Sequence, residues 1–448
     1  MSTRTPLTSV HYKKMQHYAA VREHDLRVRN SILNVGLDET ALNHASRISG
    51  RHIFSLELPS AKITAQEKSG RCWLFAGLNT LRYKIMQKHE IENFELSQSY
   101  LMFFDKLEKA NYFLENILET RDEEIDSRIV MWLLDAPLQD GGQWDMFTAL
   151  VEKYGIVPKD RMPESFSSKD SSRMNAVLTH VLRGNAAELR GTYRKGTGIA
   201  ELKARKAEMV QEFYRLLTLF LGLPPEQFIW EYTNKNKIFH REDNCTPLSF
   251  YRKEFPEGLH DYVSLIHAPT ADKPFMQTFT VQYLGNVEGG NPVKYLNVEL
   301  PQMKAAVIRQ LQDADPVWFG SDVGKKMKRE DGILDASVYE YERVLDTQFT
   351  LDKGGRLEYG ESLMTHAMVI SGVNLQGTRP ERWKVENSWG DKYGDQGYFV
   401  MSDSWFDAYV YQAVVHKKHL TPEMRKAWER KPRVLKPWDP MGSLAGSM

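Results

Sequence analysis

The sequence predicts an α+β protein of two lobes, a helical lobe early in the chain and a strand-rich lobe late in it. Two observations point there. Amphipathic stretches with helical spacing, Glu108–Leu134 and Ser171–Leu223, dominate the first half. Strand-like runs gather after Pro316, among them Val317-Trp-Phe-Gly and the β-branched run that follows residue 366. With 448 residues, 42% of them hydrophobic, the chain can bury a sizeable core and is long enough for more than one domain.

Taken in order, residues 1–60 carry mixed helical signals, including the charged stretch Ser9–Asn30, and read as an N-terminal arm. Residues 61–165 form the helical lobe, opened by the segment Ala61–Arg82 and interrupted by an insertion at 106–139. A helical insertion, 166–235, contains a second long amphipathic block that Pro224-Pro225 brings to an end. The β-rich lobe spans 236–420: Phe275–Tyr283 alternates as a strand, and Leu300-Pro-Gln-Met-Lys-Ala-Ala reads as a helix with proline in its first turn. Residues 421–448 form a C-terminal arm, kept extended by Pro432, Pro437 and Pro440 and small and flexible from Gly442 onward.

The chemistry starts at Cys72, one of two cysteines. It follows Ser69-Gly70-Arg71 and opens the run Trp-Leu-Phe-Ala-Gly-Leu, which suits a buried helix. A thiol at a helix N-terminus faces the positive end of the macrodipole, which favours the thiolate and predicts a lowered pKa. His366 stands at the head of a buried strand, and 21 positions on (387 − 366) Asn387 ends a second one. Antiparallel pairing of these strands would set the Asn387 side-chain carbonyl against the imidazole and fix its tautomer. Nucleophile, base and orienting group would then be complete. Gln66, six residues before the cysteine, has an amide that can join the Cys72 backbone N–H in an oxyanion hole.

These residues sit in segments that resemble the papain-like cysteine peptidases. Ser-Gly-Arg-Cys72-Trp73-Leu-Phe-Ala is similar to that family's nucleophile signature, and Leu96-Ser97-Gln-Ser-Tyr-Leu101 to its following segment. Asp140-Gly141-Gly142-Gln143-Trp144 resembles the Gly-Gly substrate-binding strip, and Asn387-Ser-Trp389-Gly390…Gly397-Tyr398 the asparagine run. The resemblance implies a papain-like fold whose β-rich lobe is barrel-like. The cleft would lie between the lobes, with Gly141 and Gly142 against the substrate backbone and Trp389 shielding the His366–Asn387 bond. The histidine lies 294 residues after the cysteine (366 − 72), so this chain carries insertions. Ser69 replaces the disulfide cysteine of the secreted enzymes. With the tail Lys436-Pro-Trp-Asp-Pro, these departures resemble the bleomycin hydrolase and aminopeptidase C branch. That branch implies a cytoplasmic thiol aminopeptidase of peptides, a homohexamer, and a C-terminal arm whose carboxylate anchors the substrate's ammonium. An endopeptidase of the same branch is the alternative, because Gly446-Ser447-Met448 extends past the branch's usual end.

Other classes find little support. The start of the chain lacks the apolar core of a signal peptide, and no apolar run reaches the roughly 20 residues of a membrane span. Formal net charge is +0, with no metal-ligand spacing, phosphate loop or repeat, so neither a cofactor nor a metal is expected. The segment His416–Lys436 holds eight Lys/Arg against Glu423 and Glu429 and reads as a solvated helix ahead of the tail. Nucleic acid is a subsidiary candidate partner on that charge.

Overall fold

The computed structural model describes residues 4–444. The early half is helical. The helix Cys72–Lys88 packs against Gln98–Glu119 and Trp144–Tyr154, and the long hairpin Ser172–Arg194 and Ile199–Leu221 lies over Gln98–Glu119. Cys72–Lys88 is apolar nearly all round, and its buried residues run from Cys72 through Arg82. That is the pattern of a helix sunk through the middle of a lobe. Ser97 caps Gln98–Glu119, its Oγ accepting from Tyr100 N at 3.1 Å. The single amphipathic stretch expected over Glu108–Leu134 is two helices, Gln98–Glu119 and Arg128–Asp135, because a turn intervenes and Ser127 caps a new start.

The later half is built on one large mixed sheet. Among the described residues its long strands run, in spatial order, Arg433–Leu435, Thr278–Val281, Tyr295–Asn297, Tyr262–Ile266, Val410–His416, Val317–Ser321, His366–Gln376, Arg379–Glu386 and Tyr398–Ser402. His366–Gln376 and Arg379–Glu386 are antiparallel neighbours in a hairpin, with Val369 opposite Glu386. The helix Leu300–Gln312, with proline in its first turn as expected, covers one side of the sheet around Met303, Val307 and Leu311. The nucleophile helix lies against the His366 strand, so the two lobes meet along that line.

The helices Ser9–Val21 and Glu23–Val35 bury no residue. The basic segment near the end is not one solvated helix. It is a short helix, Pro422–Trp428, between a 3₁₀ turn and the edge strand Arg433–Leu435, and Lys417 and Lys418 pair with Asp261 and Asp313.

Candidate active site

Cys72 is the first residue of its helix and fully buried. Two bonds from the next residue hold it in place: Trp73 Nε1 donates to the Asp140 carbonyl at 2.6 Å, and Trp73's carbonyl accepts from Trp318 Nε1 at 3.2 Å. Across the lobe boundary the Ala367 N–H donates to Cys72 Sγ at 3.4 Å, which sets the thiol beside the head of the histidine strand.

His366 and Asn387 come together as the hairpin requires. His366 Nε2 lies 2.9 Å from Asn387 Oδ1, and the Ser388 N–H donates to that same oxygen at 2.8 Å. Two donors on one oxygen fix the amide's orientation, so the ring hydrogen sits on Nε2. Nδ1 is left with its lone pair, buried and without a hydrogen-bond partner among the described residues. Trp389 lies against the imidazole, ring centres 4.9 Å apart, and Arg329 stacks on its indole at 4.5 Å.

Gln66 arrives by local pairing. Its N–H donates to the Ser388 carbonyl at 2.8 Å, and the Gly390 N–H donates to Thr64 O at 3.1 Å, so residues 64–66 run along the asparagine turn. That close approach explains two glycines. Gly390 takes φ +72, and a Cβ on Gly397 (φ +89) would lie 2.6 Å from the Gly390 carbonyl. Gln66 Oε1 accepts from Ser388 Oγ at 2.7 Å, and Nε2 gives one hydrogen to Ser69 O at 2.7 Å. The second Nε2 hydrogen is not used in either bond.

Electrostatics differ from the sequence expectation. Burial pushes the Cys72 thiol up to about 12, although the N–H groups of Ala367, Trp73 and Cys72 itself pull the other way. The helix N-terminus therefore acts in the expected sense and is outweighed. Burial likewise drives His366 down to about 4 against the Asn387 bond, with Arg329 adding to the fall.

The Gly141-Gly142 strip lies beside the nucleophile. A Cβ on Gly142 would meet the Trp73 indole at 2.5 Å, so this glycine lets the strip press onto the residue after Cys72. Lys109 Nζ donates to Gly141 O at 2.6 Å and to Asp105 at 2.7 Å. Gln143, next along, donates through Nε2 to the Ser443 carbonyl of the C-terminal arm at 2.7 Å. The arm's Met441 is buried, and its carbonyl accepts from Tyr295 Oη at 3.2 Å. A cavity of about 410 Å³ remains between arm and helices, lined in part by Lys109, Trp132, Gln139, Leu363 and Leu444. Residues 445–448, on which the expectation of an anchoring carboxylate rests, lie outside the described residues.

Sequence reasoning passed over the support beneath the turn. Asp140 Oδ2 accepts from the Gly70 N–H at 2.9 Å and from Ser171 Oγ, and Oδ1 accepts from Lys106 Nζ at 2.6 Å and Asn175 Nδ2 at 2.7 Å. Arg71, pairing with Glu164 at 3.0 Å, is a second buried support. An Asp-Lys pair embedded in the apolar run Met102-Phe-Phe-Asp-Lys-Leu107 was the available signal. Among the described residues no group of His, Cys, Asp and Glu could hold a metal, and no helix is long and apolar enough to cross a membrane.

The chain matches the Peptidase C1-like family over residues 7–442. It is 48% identical over 415 residues to aminopeptidase C of Listeria monocytogenes, covering 93% of both chains. It is 42% identical over 391 residues to bleomycin hydrolase of Gallus gallus, covering 86% of each. The crystal structure of PepW from Lactobacillus rhamnosis HN001 superposes with a TM-score of 0.96 at 46% identity, covering 98% of this chain and 99% of that one. The chain thus belongs to the Peptidase C1-like family, in its aminopeptidase C and bleomycin hydrolase branch, and is a papain-like cysteine peptidase of the aminopeptidase C type.

Proposed function

We propose that this enzyme removes residues from the amino termini of peptides, with Cys72 as nucleophile, His366 as base and then acid, Asn387 as the orienting group, and Gln66 with the Cys72 N–H as oxyanion donors. The single observation that carries the assignment is the His366–Asn387 bond at 2.9 Å, which leaves Nδ1 as the free lone pair on the strand whose next residue, Ala367, holds the thiol. A lone thiolate or a lone imidazolium is disfavoured in this buried site. Proton transfer from Cys72 to His366 creates both charges at once, and their attraction offsets the desolvation of each. The thiolate attacks the carbonyl and the imidazolium protonates the leaving amine. Water, deprotonated by the same ring, then hydrolyses the thioester.

The restriction to amino termini is assigned to the arm. Gln143 follows the Gly-Gly strip directly and holds Ser443, so the arm occupies space that a longer substrate would need. Gly141, Gly142 and Trp389 are assigned to the peptide-binding face. Self-association is part of the same proposal. The first helix buries none of its residues and leaves Val10, Tyr12, Met15 and Tyr18 exposed around its circumference, apolar surface that a second copy can cover. Light scattering on the eluting protein tests it: multiples of 51.8 kDa support association, up to the hexamer, and a monomer at micromolar concentration removes it. A cytoplasmic location is also proposed, and cell fractionation tests it.

For the catalytic assignment, Cys72→Ala and Cys72→Ser should abolish hydrolysis of an aminoacyl anilide while circular dichroism and thermal unfolding stay unchanged. Undiminished turnover by folded Cys72→Ala would remove Cys72 from the chemistry.

A further inference from the structure

The arm is fastened far more tightly than a crossing loop requires. Lys273 Nζ lies 2.9 Å from Asp439 Oδ2, with side-chain exposures of 3% and 10%, and also 2.9 Å from Oδ2 of its exposed neighbour Asp272, so it bridges the arm to a second carboxylate. Asp439 Oδ1 in turn accepts from the Met441 N–H at 2.9 Å, capping the short turn that presents residues 440–442. Lys273 sits on a rigid base, because the buried Asn297 Nδ2 donates to its carbonyl at 2.6 Å and to the Ala268 carbonyl at 3.0 Å. Pro437 and Pro440 flank the grip and limit the backbone on either side. Arg128 stacks on Trp438 at 3.8 Å from the opposite lobe.

We propose that the Lys273–Asp439 ion pair is a latch that keeps the C-terminal arm seated and thereby sets the preference for amino-terminal over internal cleavage. The inference rests on the reading that the arm restricts the cleft. Neither residue is placed at the reacting atoms; both act on specificity by positioning the arm. Without Lys273 the seated Asp439 carboxylate would lie buried and stripped of its cation, which is strongly disfavoured and shifts the arm toward release by more than about a factor of ten; without the Asp439 charge Lys273 still has Asp272, so the shift is smaller. Internal cleavage follows the released fraction, whereas loss of general folding would lower both activities together.

The test compares turnover of an aminoacyl anilide with that of an N-acetylated, internally quenched peptide in five full-length or truncated proteins. These are the parent, Lys273→Met, Asp439→Asn, Lys273→Arg and a chain ending at Gly442. Asp439→Asn keeps an acceptor for Met441 N and removes only the charge. The latch predicts at least a tenfold rise in the internal-to-terminal ratio for Lys273→Met, a smaller rise for Asp439→Asn because Asp272 still partners Lys273, and a ratio close to the parent's for Lys273→Arg. If the truncation raises the ratio and neither substitution does, the latch is overturned while the arm keeps its role. If the truncation too leaves the ratio unchanged, the reading of the arm falls and the latch with it.

Discussion

Replacing Asp140 by asparagine should loosen the turn that presents Cys72. The substitution keeps the side chain's shape and removes one charge from a buried network. Lys106, whose ammonium is fully buried, then lacks its carboxylate, and the new amide NH2 faces two donors whichever way it turns, Gly70 N and Ser171 Oγ on one side or Lys106 Nζ and Asn175 Nδ2 on the other. Burial by itself would raise the Asp140 carboxyl, yet Lys106 and the hydrogen bonds hold it well below the usual carboxylate range. Stripping one partner from such a pair costs about 3–5 kcal/mol. Unfolding entropy of about 2.1 cal/mol/K per residue over 448 residues gives about 0.9 kcal/mol/K, so Tm should fall by about 3–5 °C. Asp140→Asn/Lys106→Met should recover most of that loss, because removing both charges together is close to neutral. Scanning calorimetry on the three proteins reads it, and kcat should fall with the single variant because Gly70 stands two residues before the nucleophile. A drop below 1 °C, or a double variant no more stable than the single one, would refute the clamp.

Other consequences can be checked alongside. Gln66→Ala should lower kcat by about 10²- to 10³-fold with KM little changed, as expected for a donor used on the oxyanion; an effect on KM alone would reassign it. Asn387→Ala frees the imidazole to rotate and should cost on the order of 10²-fold in kcat, and retained activity would show that Trp389 packing alone orients the ring. Stability should depend on pH through the buried pair. His366, held at about 4 against an ordinary 6.5, contributes stability that is full above pH 6.5 and lost as pH falls toward 4. Cys72, pushed to about 12 from 9.0, contributes below pH 9 and loses it between 9 and 12. His366→Gln should flatten part of the acid limb of Tm against pH; His267, which burial also brings to about 4, His52, His416 and His419, which burial also lowers, and paired carboxylates such as Asp140 and Glu164 supply the rest; an unchanged limb would contradict the shift.

The α+β division and the hairpin joining His366 to Asn387 were legible in the sequence, because strand periodicity and the 21-residue interval (387 − 366) report local structure directly. Gln66 was legible through its spacing from Cys72, although the pairing of residues 64–66 with the asparagine turn was not. That pairing joins segments more than 300 positions apart (388 − 66 = 322) and leaves no local trace. The Cys72 titration went the other way from expectation because a helix N-terminus is visible in sequence and burial is not. For the same reason the Asp140–Lys106 clamp and the Lys273–Asp439 latch were passed over: each pairs residues whose charges read as solvated until the fold removes water from them. The Gly142 position illustrates a subtler gap. A Gly-Gly strip reads as room for substrate, while the space left by Gly142 is filled by Trp73.

Stepwise removal of residues from free amino termini through Cys72 can be followed by mass spectrometry of one peptide, presented with a free and with an acetylated amino terminus, over a time course with the full-length enzyme. The free peptide should give a ladder of products shortened one residue at a time, the acetylated peptide should stay intact, and Cys72→Ala should leave both untouched. Internal fragments from both peptides, or a ladder that persists in folded Cys72→Ala, would contradict it.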